Sequence, residues 1–251
     1  MGHYDRAWQH NIAAVEVSDS TGEQRFKAHA LQDRADLLRL TGDYDGARAT
    51  ARAGLALSEQ QGDADAAARA DLSFAWIEND DGRHDLAAAH ALRCLAFARE
   101  TNETFLLLGS LVALACSART QGDLAAAGRW LEQAFAHCHR PRVTHINQLA
   151  AVHLERGNLA VAERDWPAAR RHFTAALATA GCIAADAQEA QAGLAEVAWA
   201  EQEFATARRL LTAVIDHPAT AAVVRQRARP WLRRWELWEA LAALAGSRVG
   251  V

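Results

Sequence analysis

A turn motif that returns about every forty residues dominates this chain. Its two clearest copies begin at Gly2 and Gly42 and read Gly-His-Tyr-Asp-Arg-Ala and Gly-Asp-Tyr-Asp-Gly-Ala. Weaker copies begin at Gly82, Gly122, Arg164 and Gln202, so the steps between first positions are 40, 40, 40, 42 and 38 residues. Self-similarity at a fixed period of this length indicates a solenoid, in which each unit contacts only its neighbours.

The composition favours helices for these units. Apolar residues make up 51% of the 251 residues, aromatic residues only 7%, and there are four prolines. No stretch alternates apolar and polar residues between hairpin turns, so we predict an all-α solenoid of antiparallel helix pairs. The net charge of −4 gives no general attraction to nucleic acid or anionic lipid, and we predict neither as a direct partner. Without an apolar signal region or a membrane-length apolar segment, we expect a cytoplasmic protein.

The clearest unit shows how each helix pair begins and ends. Helix A is predicted over residues 23–40 and helix B over residues 44–60. Gly42 suits the left-handed conformation that ends a helix, and Asp43 can cap the next helix by accepting a hydrogen bond from its first N–H groups. Asp63 is placed to cap the following helix in the same way.

Two further local features complete the predicted organisation. Ser20 and Glu23 have the spacing of a capping box at the start of helix A. We divide the chain into a half-unit at 1–18, full units at about 20–61, 62–100, 101–140, 142–180 and 183–217, and a C-terminal segment at 218–251.

Columns of small residues predict how the helices pack. One position on successive B helices holds Ala7, Ala47, Ala87, Ala127, Ala169 and Ala207, and one on the A helices holds Ala35, Ala75, Ala115, Gly157 and Ala195. Small side chains at fixed positions let paired helices approach closely. The turn aromatics should wedge between hairpins as core residues: Tyr4, Tyr44, Trp166 and Phe204.

These motifs resemble those of tetratricopeptide-repeat (TPR) proteins, whose units carry Gly, aromatic and Ala signatures. The best matches are Gly42-Asp43-Tyr44-Asp45-Gly46-Ala47 and Ala176-Leu177. The forty-residue period is longer than the usual one and is similar to the sensor arrays of bacterial signal-transduction ATPases and transcription regulators. The segment from Ile215 to Thr220 also resembles the tail of such arrays.

The resemblance implies a right-handed superhelix that binds a peptide on the concave face of its A helices. Carried over by position in each unit, the predicted binding residues are His29, Gln32, Asp36, Arg39, Arg69, Leu72, Trp76, Asn79, Val112, Cys116, Arg119, Leu154, Asn158, Glu189, Glu196 and Trp199. The family's two-carboxylate clamp needs several basic residues on this face, and lysine is absent there, so we do not expect that form of recognition.

Catalytic motifs are missing from the sequence, and we predict no enzyme, no cofactor and no metal. The densest candidate metal ligands are His137, Cys138 and His139, with His145 and His153 downstream. His137 and His139 point to different sides of a helix, so we interpret them as a polar helix end. Carboxylates at Asp80, Asp81, Glu201 and Glu203 are interpreted as helix caps.

The two ends of the chain depart from the repeat. Because the first motif starts at residue 2, either Met1 begins a natural capping helix or the chain was cut from a longer array, and we favour the second. The C-terminal segment combines arginines with Trp231, Trp235 and Trp238, and Pro230 should kink or restart its helix. We predict that this helix caps the last repeat; docking of a partner or a lipid surface is the alternative.

Our leading hypothesis is a non-catalytic scaffold that binds a protein or peptide segment as the sensor part of a bacterial regulator. The alternative is self-association through the open half-unit or the Trp-rich helix. A metal-dependent enzyme ranks third.

Overall fold

The computed structural model describes residues 3–139, 146–179 and 182–233, and within these ranges the chain is helical with no strands. The helices are α1 (His3–Thr21), α2 (Gln24–Thr41), α3 (Tyr44–Gln60), α4 (Ala64–Asp80), α5 (His84–Thr101), α6 (Thr104–Thr120), α7 (Leu124–Cys138), α8 (Ile146–Ala162), α9 (Trp166–Ala178), α10 (Ala184–Ala200) and α11 (Phe204–Asp216). A last helix, α12, covers 222–233. The all-α prediction is confirmed.

The helices form a row of hairpins. Consecutive helices pack against each other from α1 through α11, and the even-numbered helices α2, α4, α6, α8 and α10 also pack side by side. Each odd-numbered helix therefore lies outside the even-numbered row. The even-numbered helices, the A helices of the sequence pattern, form the inner wall of a curved solenoid.

The turn motif is built as predicted in the clearest unit. Gly42 has a φ of +90°, which lets α2 end sharply, and the Asp43 side chain accepts a hydrogen bond from the backbone N–H of Gly46 at 2.9 Å. The Asp63 side chain caps α4 in the same way. The left-handed residue recurs at the first position of the later copies, even where glycine is replaced, as at Gln202.

The predicted capping box is wrong. Because α1 continues to Thr21, Ser20 lies in its last turn, where its hydroxyl donates to the Val17 carbonyl at 2.9 Å. Glu23 precedes α2 but accepts no capping hydrogen bond. Ser20 therefore belongs to the end of α1 and cannot cap the start of α2, as a capping box requires.

The carboxylates interpreted as caps also have other partners. Asp80 accepts from Arg39 at 2.6 Å, and Asp81 accepts from Arg48 at 2.8 Å. Glu201 pairs with Arg170, and the Glu203 side chain makes no capping bond. Buried or half-buried guanidiniums compete for these carboxylates more strongly than helix N–H groups do.

The small-residue columns lie where the helices touch. The B-helix residues from Ala47 to Ala207 are completely buried, and the A-helix residues from Ala35 to Ala195 are buried as well. Of the turn aromatics, Tyr44 and Trp166 are partly buried and pack against core clusters, as predicted. Tyr44 contacts the cluster around Phe74 and Ile77.

The two ends of the described solenoid meet, which the sequence did not predict. The Tyr4 hydroxyl of α1 donates to the carbonyl of Ala219 at 2.7 Å. Leu40, at the end of α2, packs against the cluster of Ala221 and Val224. The backbone contact is close, since a Cβ added at Gly42 would lie 2.9 Å from the Cβ of Ala222. The segment 217–224 therefore closes the curve onto the first hairpin.

Helix α12 covers the last repeat. Its Trp231 ring meets the Trp199 ring edge-on, with centroids 5.7 Å apart. Arg225 donates to the carbonyls of Ile215 and His217 at the end of α11. The helix is continuous through Pro230 and does not restart there. These contacts fit the predicted cap; Trp235 and Trp238 lie outside the described residues.

Candidate functional site: a cavity on the concave face

Closure of the solenoid creates a cavity of about 570 Å³ on the concave face. Residues of α2, α4, α6, α8 and the start of α10 form its wall, and residues 221–227 close the remaining side. The C-terminal segment lies across the groove that the inner helices line, so the groove becomes a cavity.

One part of the cavity wall is apolar and aromatic. Leu72, Trp76, Val112 and Leu154, all predicted on this face, line it together with residues that the prediction did not include: Phe105, Ala151, Ile183, Val223 and Val224. Gly109 lies close to Leu72 in this wall, since a Cβ there would be 2.8 Å from Leu72 Cδ2. Such a surface can accept apolar side chains or rings.

The charged part of the wall is organised as ion pairs between neighbouring units. Arg39 donates to Asp80 at 2.6 Å, and both side chains are largely buried. Arg119 donates two hydrogen bonds to Glu155, at 2.6 and 3.3 Å. These charge-assisted bonds fix the helix ends relative to one another.

The third pair involves the closing helix. Arg227 of α12 lies 3.4 Å from Glu189 and 3.5 Å from Glu196, both on α10. Asn158 of α8 donates to Glu189 at 3.3 Å and to Glu155 at 3.1 Å, so it connects the second and third pairs. The predicted residues Asn158, Glu189 and Glu196 are therefore held by protein partners.

Asp186 differs from the other cavity carboxylates. It lies in the first turn of α10 and lines the cavity, yet within the described ranges it makes no hydrogen bond or ion pair. Loss of hydration on burial, together with the nearby Glu189, raises its pKa to about 7 despite the opposing charge of Arg39.

Asp36 is a second acidic neighbour of Arg39. It lies 3.6 Å from Arg39, which already holds Asp80. Its side chain is 45% exposed. Loss of hydration raises its pKa, and the charge of Arg39 opposes that rise.

The remaining predicted residues have different places. Arg39, Asn79, Cys116 and Arg119 complete the set of predicted residues that line the cavity. Others do not line it. Gln32 is buried and donates to the Ala66 carbonyl, Arg69 lies over the Phe105 ring, Trp199 packs on Trp231, and His29 is exposed. The available surface is therefore shorter than the predicted groove.

Sequence reasoning missed several cavity residues, above all Asp186, His84 and Arg227. The signal that could have found the ion pairs is a spacing close to the period, since Arg39 and Asp80 are 41 positions apart and Arg119 and Glu155 are 36 apart. Asp186 has no such signal, because only the curvature of the array places it beside Arg39.

Other candidate chemistry is sparse in the described part of the chain, where no group of three His, Cys, Asp or Glu residues is arranged to hold a metal ion. His139 bonds to the Phe135 carbonyl, and His153 pairs with His172 at 3.3 Å; His145 is outside the described residues. Burial raises the pKa of the Cys94 thiol to about 11 and also raises that of Cys116, so neither is an activated nucleophile. None of the described helices is long and apolar enough to cross a bilayer.

A solved structure with a similar fold is BtubC (BKLC) from P. vanneervenii. The match has a TM-score of 0.59 at 18% sequence identity and covers 93% of each chain. No family model matches the sequence, and no curated protein does. At this identity the likeness concerns the fold alone, and it supports a helical-repeat architecture.

Proposed function

We propose that this protein is a non-catalytic binding scaffold of the TPR type, the partner-binding part of a bacterial regulator, and that it holds a short segment of its partner in the concave cavity. The observation that carries the proposal is the cavity itself. Five inner helices and the closing segment 221–227 surround it, and its wall combines aromatic, aliphatic and charged groups.

The ion pairs support a binding role over a catalytic one. Arg119 and Glu155 hold each other, as do Arg39 and Asp80, so these side chains are positioned and their charges are mostly compensated. A rigid wall of this kind lowers the conformational entropy lost when a ligand binds. The cavity thiol of Cys116 has a raised pKa, which suits packing better than nucleophilic attack.

Self-association, the alternative predicted from the sequence, has less support. The open end of α1 and the C-terminal segment already contact each other within one molecule, through Tyr4 and Ala219. A dimer formed through these ends would compete with that contact.

The test is a selection of random octapeptides on the immobilised protein, followed by titration of the selected peptides by fluorescence anisotropy. We expect micromolar binders. Ala151→Trp, which fills the cavity from α8, should weaken them at least about tenfold, and Trp76→Ala should also weaken them.

Ala96→Trp is the matched control, because Ala96 is exposed on the outer helix α5. Peptides that bind the parent and Ala151→Trp equally well would place the binding site outside the cavity and overturn the proposal. Failure to select any binder whose affinity depends on the cavity would do the same.

A further inference from the structure

We infer that the partner segment bound in the concave cavity carries a lysine or arginine side chain, and that Asp186 is the counter-ion that receives it. This inference rests on the proposed function and adds the chemistry of the ligand. A bound cation is opposite in sign to the carboxylate that TPR clamps recognise. In the described part of this face, each lining guanidinium already has a carboxylate partner.

The charge count of the cavity is the first observation behind the inference. Among the lining residues, three guanidiniums are each matched by one carboxylate: Arg39 by Asp80, Arg119 by Glu155 and Arg227 by Glu189. Asp186 is the fourth lining carboxylate, and within the described ranges no cation pairs with it.

The surroundings of the cavity increase this acidic excess. Arg39 is shared with Asp36, and Arg227 is shared with Glu196, so two of the three guanidiniums each serve two carboxylates. His84 lines the cavity without adding a positive charge at neutral pH, because burial and the Arg119 charge lower its pKa. A cationic ligand would therefore compensate charge that the protein leaves unbalanced.

The shape and polarity of the site fit the rest of such a side chain. Trp76 and Phe105 line the same cavity as Asp186, alongside Val223 and Val224. Lysine and arginine carry an apolar stem of three or four methylene groups behind the charge, and aromatic faces attract cations. Apolar walls with one unpartnered carboxylate match that amphipathic shape.

Asp186 is also poised to respond to a cation. Its pKa of about 7 reflects lost hydration and the neighbouring Glu189, opposed by Arg39. Tyr4 of α1 also lies within electrostatic range, and Arg227 of α12 holds Glu189. An arriving ammonium or guanidinium group would lower the pKa of Asp186, so binding should release a proton near neutral pH.

The experiment uses the octapeptides selected on the parent protein. We expect them to share a basic residue next to apolar ones, and replacement of that residue by norleucine should weaken binding at least about tenfold. Asp186→Asn should remove most of this difference between the basic and the norleucine peptide. Glu163→Gln, an exposed carboxylate in the turn before α9, is the control and should leave the difference unchanged.

Two further measurements separate the counter-ion role from a structural one. The affinity of the parent for the basic peptide should rise from pH 5.5 to pH 8, with proton uptake by the buffer in calorimetry, and both effects should be absent in Asp186→Asn. The variant should fold, because removal of a carboxylate with a raised pKa removes a destabilising charge above pH 7. Its Tm at pH 8 should equal or exceed that of the parent.

The outcomes distinguish the inference from the proposed function. Cavity-dependent peptides that lack basic residues, or that bind Asp186→Asn as tightly as the parent, would overturn the inference and leave the scaffold proposal in place. The absence of any cavity-dependent peptide would overturn both.

Discussion

At the scale of single residues, Phe173 shows how closely the helices pack. This α9 side chain is completely buried, and it occupies space left by two glycines on the inner helices, Gly157 of α8 and Gly193 of α10. A Cβ at Gly157 would lie 2.5 Å from Phe173 Cε1, and one at Gly193 would also overlap the ring. One aromatic ring thus fixes the distance between two consecutive inner helices.

Gly157→Ala should therefore destabilise the protein, although alanine favours helices. The gain of about 1 kcal/mol in helix propensity is offset by overpacking of about 1–3 kcal/mol, and urea unfolding should show a net loss of up to about 2 kcal/mol in the free energy of unfolding. Gly128→Ala is the control, because its Cβ would meet only Leu159 Cδ2 at 3.9 Å. If Gly157→Ala were as stable as Gly128→Ala, the close fit around Phe173 would be refuted.

At the scale of helices, the turns between paired helices share one construction with two exceptions. Asp43, Asp123 and Asp165 each cap the following helix through a side-chain hydrogen bond. At the same position before α5 and α11, Arg83 and Glu203 make no such bond. These two helices rely on tertiary packing and on the left-handed residue before the turn.

Glu203→Asp should supply the missing cap to α11. The shorter carboxylate can accept from the first N–H groups of the helix, and we expect a gain of about 0.5–1 kcal/mol in the free energy of unfolding. The exposed pair between Glu203 and Arg170 contributes little that would be lost. Asp123→Glu is the reverse change and should lower the free energy of unfolding by a similar amount. If both variants were less stable than the parent, side-chain length would not control capping in these turns.

At the scale of the whole molecule, the repeating units could be predicted from the sequence, whereas the closure of the array could not. The forty-residue period predicted the helix pairs, their turns and their small-residue contacts, because each depends on residues close in sequence. The contact between Tyr4 and Ala219 depends on a small rotation at every unit, added over the whole array. No local pattern encodes that sum, and the cavity and the place of Asp186 follow from it.

The closure itself can be tested by Ala222→Trp. The Cβ of Ala222 lies so close to Gly42 that a Cβ added to the glycine would be 2.9 Å away, so an indole at position 222 should separate the two ends. We expect an increased radius of gyration in small-angle X-ray scattering and faster amide exchange near Tyr4, with the helix content unchanged. Ala96→Trp should alter neither quantity, and an equally compact Ala222→Trp variant would contradict the closed arrangement.

Closure also limits how this molecule can evolve. An open solenoid can gain or lose one unit by duplication or deletion within its gene, because each new unit only needs its neighbours. Here an additional hairpin would displace the segment 217–224, which could then no longer contact Leu40 and Gly42. We therefore expect relatives that keep this closed arrangement to vary in their loops and cavity side chains, while the number of units between the two contacting ends stays constant.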